Sequence, residues 1–135
     1  YISVLVNYQI WQASGTINLW IAGFVFAVIG IVFFIASVTV MKNNWRAGFN
    51  KEQKTELVTD GLYSISRNPA FTGFDLIYIG CALAYPHIFN IVWSVLAVIC
   101  FHLQILGEEE YLLSVFGTKY QEYRKHVARY IGRYS

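Results

Sequence analysis

Hydrophobic positions divide the chain into long uncharged runs separated by short polar stretches. Residues 1–41 contain no charged side chain. Tyr1–Trp11 is apolar but short, as the end of a spanning helix would be, and Gln12-Ala13-Ser14-Gly15-Thr16 reads as a polar turn. Leu19–Val40 then continues uncharged for the roughly 20 residues that a bilayer-crossing helix needs. Gly23 and Gly30 within it permit close approach of a neighbouring helix. Trp20 at one end and Trp45 beyond the other suit the aromatic belts of the two membrane interfaces.

A polar segment follows, in which Lys51-Glu52-Gln53-Lys54-Thr55-Glu56 is expected to be solvated and Thr59-Asp60-Gly61 marks a turn. Asn68-Pro69 is a helix start. A residue before proline is pushed out of helical geometry, Asn is a favoured N-cap, and Pro is favoured at the first helical position. The pattern predicts a helix over Pro69–Tyr85, stopped by Pro86-His87, and a second apolar helix over Asn90–Leu106. Beyond Glu108-Glu109-Glu110, Thr118-x-x-Gln121 is a capping-box signature. Leu112, Phe116, Tyr120, Tyr123, Val127, Tyr130 and Tyr134 recur at intervals of three and four, with Lys119, Glu122, Arg124, Lys125, Arg129 and Arg133 between them. That is the pattern of an amphipathic helix lying on an anionic membrane surface or packed on the preceding loop. The expected fold is an all-α integral membrane protein with one domain over residues 1–135. Its parts are an N-terminal transmembrane region (1–41), a cytoplasmic loop (42–68), a transmembrane hairpin (69–106) and cytoplasmic C-terminal helices (107–135).

Composition agrees: 56% of the 135 residues are hydrophobic and 13% charged, against about 25% charged in soluble domains. All ten Lys and Arg fall within 42–67 and 119–133. A hairpin between those segments returns them to one side, and the positive-inside rule makes that side cytoplasmic. A net charge of +2 is too small to indicate nucleic acid. Cys81 and Cys100 lie in apolar runs and read as small hydrophobes. No basic n-region precedes the first apolar run, so a signal peptide is not expected.

Familiar chemistries are missing. There is no G-x-G-x-x-G or P-loop, His87, His102 and His126 lack metal-ligand spacing, and no Ser or Cys has a nearby His and acid pattern. What remains is polar groups at one interface. The helix opening at Asn68-Pro69 has free N–H groups and a dipole that favour an anion, with Arg67 beside it. Glu108 leaves the second arm of the hairpin with Gln104 one turn earlier on the same face. A helix start that accepts a carboxylate, facing a glutamate that accepts an ammonium, suits a zwitterionic amino-acid group, with Tyr63 and Phe71 as aromatic walls. The alternative from spacing alone is that Arg67 and Glu108 are interfacial anchors or a simple ion pair.

Leu57-Val58-Thr59-Asp60-Gly61-Leu62-Tyr63, followed by Ser66-Arg67-Asn68-Pro69-Ala70-Phe71-Thr72-Gly73, resembles a signature of the isoprenylcysteine carboxyl methyltransferase family. Glu108-Glu109-x-x-Leu112-x-x-x-Phe116-Gly117-x-x-Tyr120-x-x-Tyr123 resembles its second signature, and the likeness covers about residues 42–131. Phospholipid methyltransferases share the architecture. The resemblance implies an integral membrane enzyme that uses S-adenosylmethionine, with Leu57, Val58, Tyr63, Asn68, Pro69 and Phe71 lining the cofactor pocket and Glu108 holding the cofactor's ammonium. Asn68 stands where the eukaryotic pattern has His, Phe71 where it has Tyr, and Gln104 where prenylcysteine methyltransferases have a substrate-binding Arg. The asparagine form resembles bacterial members, which implies a bacterial inner membrane with the site facing the cytoplasm.

The leading expectation is methyl transfer from S-adenosylmethionine to a hydrophobic or lipid-like acceptor entering from the bilayer, without metal. Arg67 and Asp75 are the catalytic candidates and Gln104 a substrate contact. An acid within a membrane helix is a functional candidate by default, although Asp75 lies close enough to Pro69 to snorkel to the interface instead. The alternatives are a non-catalytic membrane scaffold or lipid-binding protein keeping the same fold, and a nicotinamide-dependent reductase, which no residue pattern favours.

Overall fold

The uncharged N-terminal run forms one continuous helix, α1 (Thr16–Met41). The computed structural model describes Ile2 and residues 16–41 and 56–134. Expectations for the rest of residues 1–15, for Trp45 and for the basic residues Lys42, Arg46, Lys51 and Lys54 fall outside the described residues. Among the described residues three further helices follow: α2 (Pro69–Ala84), α3 (Ile88–Phe116) and α4 (Thr118–His126). A single 3-10 turn, Gly61–Ser64, precedes α2, and a lone antiparallel bridge joins Val127 to Arg133. Among the described residues the protein is otherwise helix and loop.

Among the described residues two helices, Ile17–Met41 and Ile88–Phe116, are long and apolar enough to cross a membrane. Their outer faces carry exposed Phe24, Val28, Val32 and Ile35 on α1, and Trp93, Leu96, Ile99 and Leu103 on α3. Apolar surface this continuous is tolerable against lipid and a liability against water. The hairpin arms are unequal. At 1.5 Å per residue, the 16 residues of α2 reach about 24 Å, while the 29 residues of α3 reach about 43 Å. α3 therefore continues past the start of α2 and carries Glu108 and Glu109 beyond it. This corrects the expected end of the second arm near Leu106: Gly107 and the three glutamates do not stop the helix.

α1 packs chiefly on α2, and glycines make the contact possible. A Cβ on Gly30 would lie 2.5 Å from the carbonyl oxygen of Gly73, and one on Gly80 would lie 2.5 Å from that of Gly23. Real atoms do not approach so closely, so the two backbones meet where only glycine fits. Aromatic rings tie in the third helix. Phe74 of α2 touches Phe34 of α1 (centroids 4.8 Å apart) and Phe101 of α3 (5.3 Å). At the hairpin turn, the Asn90 side-chain amide donates to the carbonyls of Cys81 (2.8 Å) and Tyr85 (2.9 Å), a second donor to each beside the N–H groups of Tyr85 and His87.

The C-terminal region departs from the expected amphipathic helix. α4 ends at His126, so Tyr130 and Tyr134 do not share a helix with Tyr120 and Tyr123. The backbone of 128–132 is committed elsewhere: Arg67 N–H donates to Ala128 O (2.9 Å), and Gly132 N–H donates to Ile65 O (2.7 Å). Those bonds replace the ones that helix continuation would have made. The capping box is also absent, because Thr118 is the first helical residue and the N-cap is Gly117, at φ 52°.

Candidate functional site

The loop before α2 is shaped locally and then clamped from the C-terminal side. Gly61 has φ 57°, a conformation that side chains disfavour, and a Cβ there would lie 2.7 Å from a Val40 methyl of α1. The 3-10 turn that follows buries Tyr63. From α4, the Tyr123 hydroxyl donates to the carbonyl of Tyr63 at 2.5 Å and lies 3.3 Å from that of Ser66. Burial, followed by smaller contributions from Tyr120 and Tyr63, pushes the Tyr123 hydroxyl well above its ordinary pKa, so it remains a neutral donor. Tyr123→Phe is therefore expected to cost about 1–3 kcal/mol through unsatisfied carbonyls. Thermal unfolding in detergent checks this, and an unchanged midpoint would contradict it.

One carboxylate sits at the centre. Glu109, 6% exposed, accepts from the Asn68 side-chain amide at 2.9 Å. It pairs with Arg67 Nη1 at 3.3 Å and with Arg129 Nη2 at 3.2 Å, and Arg129 Nε lies 3.3 Å from each of its oxygens. Three segments distant in sequence thus converge on one buried anion: the start of α2, the far end of α3 and the C-terminal segment. The Asn68 amide also donates to the carbonyl of Arg129 at 3.2 Å. Asn68 occupies the N-cap position of α2, yet its side chain makes no capping bond. The expected capping role is replaced by a tertiary one, since the amide is spent on Glu109 and Arg129.

Two guanidinium groups against one carboxylate leave positive charge in excess. The Arg67 side chain is 9% exposed. Its Nε has no hydrogen-bond partner among the described residues, and Nη1 reaches Glu109 at ion-pair distance without hydrogen-bond geometry. Tyr120, fully buried beside them, has its hydroxyl pKa raised by burial and then by Glu109, with Arg67 opposing.

The residues named from sequence are distributed around this centre. Tyr63, Asn68 and Pro69 are buried, and Leu57 and Val58 are half-buried ahead of Gly61. Phe71 is half-buried with its ring centroid 6.1 Å from that of Phe101. Glu108 is half-buried and close enough to Tyr63 to add to the upward shift that burial imposes on that hydroxyl. Gln104 is exposed on α3, and Asp75 is buried two turns into α2. The alternative of a simple ion pair between Arg67 and Glu108 meets a different pairing: Arg67 lies 3.3 Å from Glu109. Helical geometry supplies the reason: adjacent residues point about 100° apart, and it is Glu109 that faces the start of α2.

Glu109, Tyr120 and Tyr123 lay inside the second signature, where their presence was legible and their roles were not. Nothing local marked Arg129, whose spacing placed it on a solvated face. Among the described residues no group of three or more His, Cys, Asp or Glu is arranged to hold a metal.

The phospholipid methyltransferase family matches residues 19–119. Similar curated proteins include a protein-S-isoprenylcysteine O-methyltransferase of Schizosaccharomyces pombe, 36% identical over 72 residues (53% of this chain, 30% of that protein). The protein of the same name from Dictyostelium discoideum is 25% identical over 135 aligned residues (94% of this chain, 55% of that protein). Protein-S-isoprenylcysteine O-methyltransferase B of Arabidopsis thaliana is 35% identical over 78 residues (57% and 40%). The chain spans about half or less of the length of these relatives. No solved structure matches it.

Proposed function

The chain belongs to the phospholipid methyltransferase family, and on that premise we propose that it transfers a methyl group from S-adenosylmethionine to a hydrophobic or lipid-like acceptor at the membrane interface. The supporting observation is the convergence of the two signature segments. Loop 57–68 and the start of α2 meet the Glu108-Glu109 end of α3 through the bonds that Asn68 and Arg67 make to Glu109.

The residues present fit the cofactor. Arg67, whose buried Nε has no partner among the described residues, and the N–H groups that open α2 offer donors to a carboxylate. Half-buried Glu108 offers an acceptor to an ammonium, and Leu57, Val58 and Phe71 offer apolar surface to a ring system. Glu109 is engaged by Arg67 and Arg129, and we assign the ammonium to its neighbour Glu108. When bound, S-adenosylmethionine supplies a methyl group activated by an adjacent sulfonium, so the protein's contribution is chiefly alignment and exclusion of water. The exposed apolar faces of α1 and α3 support a route for the acceptor through the bilayer. The basic residues of α4 support a site facing the cytoplasm.

Calorimetric titration of S-adenosylmethionine into the protein in lipid discs tests this reading. Binding is expected, and Glu108→Gln is expected to weaken it about ten- to a hundred-fold, as loss of a charge-assisted hydrogen bond requires. If the wild-type protein binds no S-adenosylmethionine, the methyltransferase reading fails and a non-catalytic scaffold takes its place.

A further inference from the structure

The donors around Glu109 are divided unequally. A carboxylate offers about four lone-pair sites. The Asn68 side-chain amide donates to Oε1 at 2.9 Å. Arg129 takes the remaining positions: its Nε lies 3.3 Å from each oxygen and its Nη2 3.2 Å from Oε2, all with hydrogen-bond geometry. Arg67 Nη1 approaches Oε2 at 3.3 Å without that geometry, facing acceptors that are already filled. Its Nε and Nη1 are buried and have no hydrogen-bond partner among the described residues. The Tyr120 hydroxyl is orphaned in the same way. It lies close enough to Arg67 for the guanidinium to oppose the upward shift that burial, and then Glu109, impose on its pKa. A buried donor without a partner costs about 1–3 kcal/mol, and more when charged. Such donors gathered in one place mark a position that something outside the chain completes.

Arg129 is itself held from both sides. Its carbonyl accepts from the Asn68 amide at 3.2 Å, Ala128 O accepts from Arg67 N–H at 2.9 Å, and the Tyr130 hydroxyl lies 2.6 Å from His102 Nδ1. The Arg129 side chain is 36% exposed, so water can solvate the guanidinium without help from Glu109. The pairing therefore matters more for Glu109 and Arg67 than for Arg129. We propose that Arg129 is a positioning residue: by occupying Glu109 it keeps the donors of Arg67 and Tyr120 for an anionic group of the ligand, the carboxylate of S-adenosylmethionine. This rests on the methyltransferase reading above. Two guanidinium groups and one carboxylate leave one positive charge in excess. Without Arg129, Glu109 is free to turn onto Arg67 in the two-bond geometry that guanidinium and carboxylate favour. A ligand carboxylate then meets a neutral pair instead of a cation. Tyr120 stays a donor, since its raised pKa keeps the hydroxyl protonated. Arg67 and Tyr120 touch the ligand, and Arg129 acts only through Glu109.

The test compares two probes by calorimetric titration into the protein in lipid discs. One is S-adenosylmethionine. The other is decarboxylated S-adenosylmethionine, which keeps the ammonium and the sulfonium and lacks the carboxylate. Wild type is expected to bind the first about ten-fold or more tightly than the second, the worth of a charge-assisted hydrogen bond. Arg67→Gln is expected to bring the two affinities within about two-fold of each other. Arg129→Gln is expected to lower the preference about five-fold, with affinity for the decarboxylated probe within about two-fold of wild type. Arg129→Lys keeps the charge but not the fork that spans both oxygens, so its preference should fall between. Arg67→Gln combined with Arg129→Gln should match Arg67→Gln alone, because both substitutions act on one cation. Arg124→Gln is the control for charge: Arg124 is exposed on α4 and is not among the groups bound to Glu109, so the wild-type preference should persist. An arginine that merely stabilises the fold would weaken both probes equally. Equal weakening by Arg129→Gln, an unchanged preference, or the same loss from Arg124→Gln overturns the proposal. Should Arg129→Gln fail to fold, the ratio of affinities in Arg129→Lys decides. Wild type that binds both probes without preference overturns this proposal alone, whereas wild type that binds neither overturns the methyltransferase reading and this proposal with it.

Discussion

Glu109→Ala is expected to destabilise the protein by about 3–5 kcal/mol, the range for removing one partner of a buried ion pair. The cost comes mainly from Arg67, whose side chain is 9% exposed and which would be left as a buried, unpaired cation. Arg129 contributes less, since its side chain is 36% exposed and water partly replaces the lost partner. Asn68 loses the acceptor it holds at 2.9 Å. Glu109→Gln restores an oxygen for Asn68 but not the charge, so it should fall between wild type and alanine. Glu108→Ala is expected to cost far less stability, because Glu108 is only half-buried. Thermal unfolding in a single detergent ranks the three. Equal midpoints for Glu108→Ala and Glu109→Ala would refute the assignment of Glu109 as the structural anion.

Gly30→Ala carries the second large expected effect. A Cβ there would meet the Gly73 carbonyl oxygen at 2.5 Å and an Ile77 side-chain carbon at 2.8 Å, so α1 and α2 must separate. Overpacking typically costs about 1–3 kcal/mol, and a clash against backbone belongs at the upper end. Lipid supplies no hydrophobic drive to hold the helices together once close packing is lost. Gly80→Ala should behave alike, since its Cβ would meet the Gly23 carbonyl at 2.5 Å. Gly107→Ala is the control: nothing lies within 4 Å of its Cβ position, and removal of a mid-helix glycine should stabilise by about 1 kcal/mol. Protease resistance and thermal midpoints that fail to separate Gly30→Ala from Gly107→Ala would show that α1 and α2 do not pack as described.

Much of the fold was legible because its signals are local. A long uncharged run can only be buried or placed in lipid, so α1 followed from composition. Asn68-Pro69 and Pro86-His87 bounded α2 to within one residue, because proline's constraints on its own backbone and that of its predecessor do not depend on distant contacts. Gly23 and Gly30 were recognisable as contact residues, although their partners, Gly80 and Gly73, were not. The C-terminal region misled for a physical reason. The recurrence of Tyr120, Tyr123, Val127, Tyr130 and Tyr134 satisfies helical spacing, but the backbone of 128–132 gains more by bonding to Ile65 and Arg67 than by extending α4.

The stretch from Leu57 to Gly73, and its pairing with the segment beginning Glu108-Glu109, identified the family from sequence alone. Residue type and spacing carry that information without coordinates. Which of the two glutamates turns toward Arg67 was decided by the phase of α3. That phase depends on how the helix packs and how far it continues beyond α2. The roles of Arg129 and Tyr123 were likewise set by a C-terminal region folding back across a loop some 60 residues earlier. Contacts at such separation leave no periodicity in the chain, because they are selected by the total free energy of the packed structure rather than by any neighbouring residue.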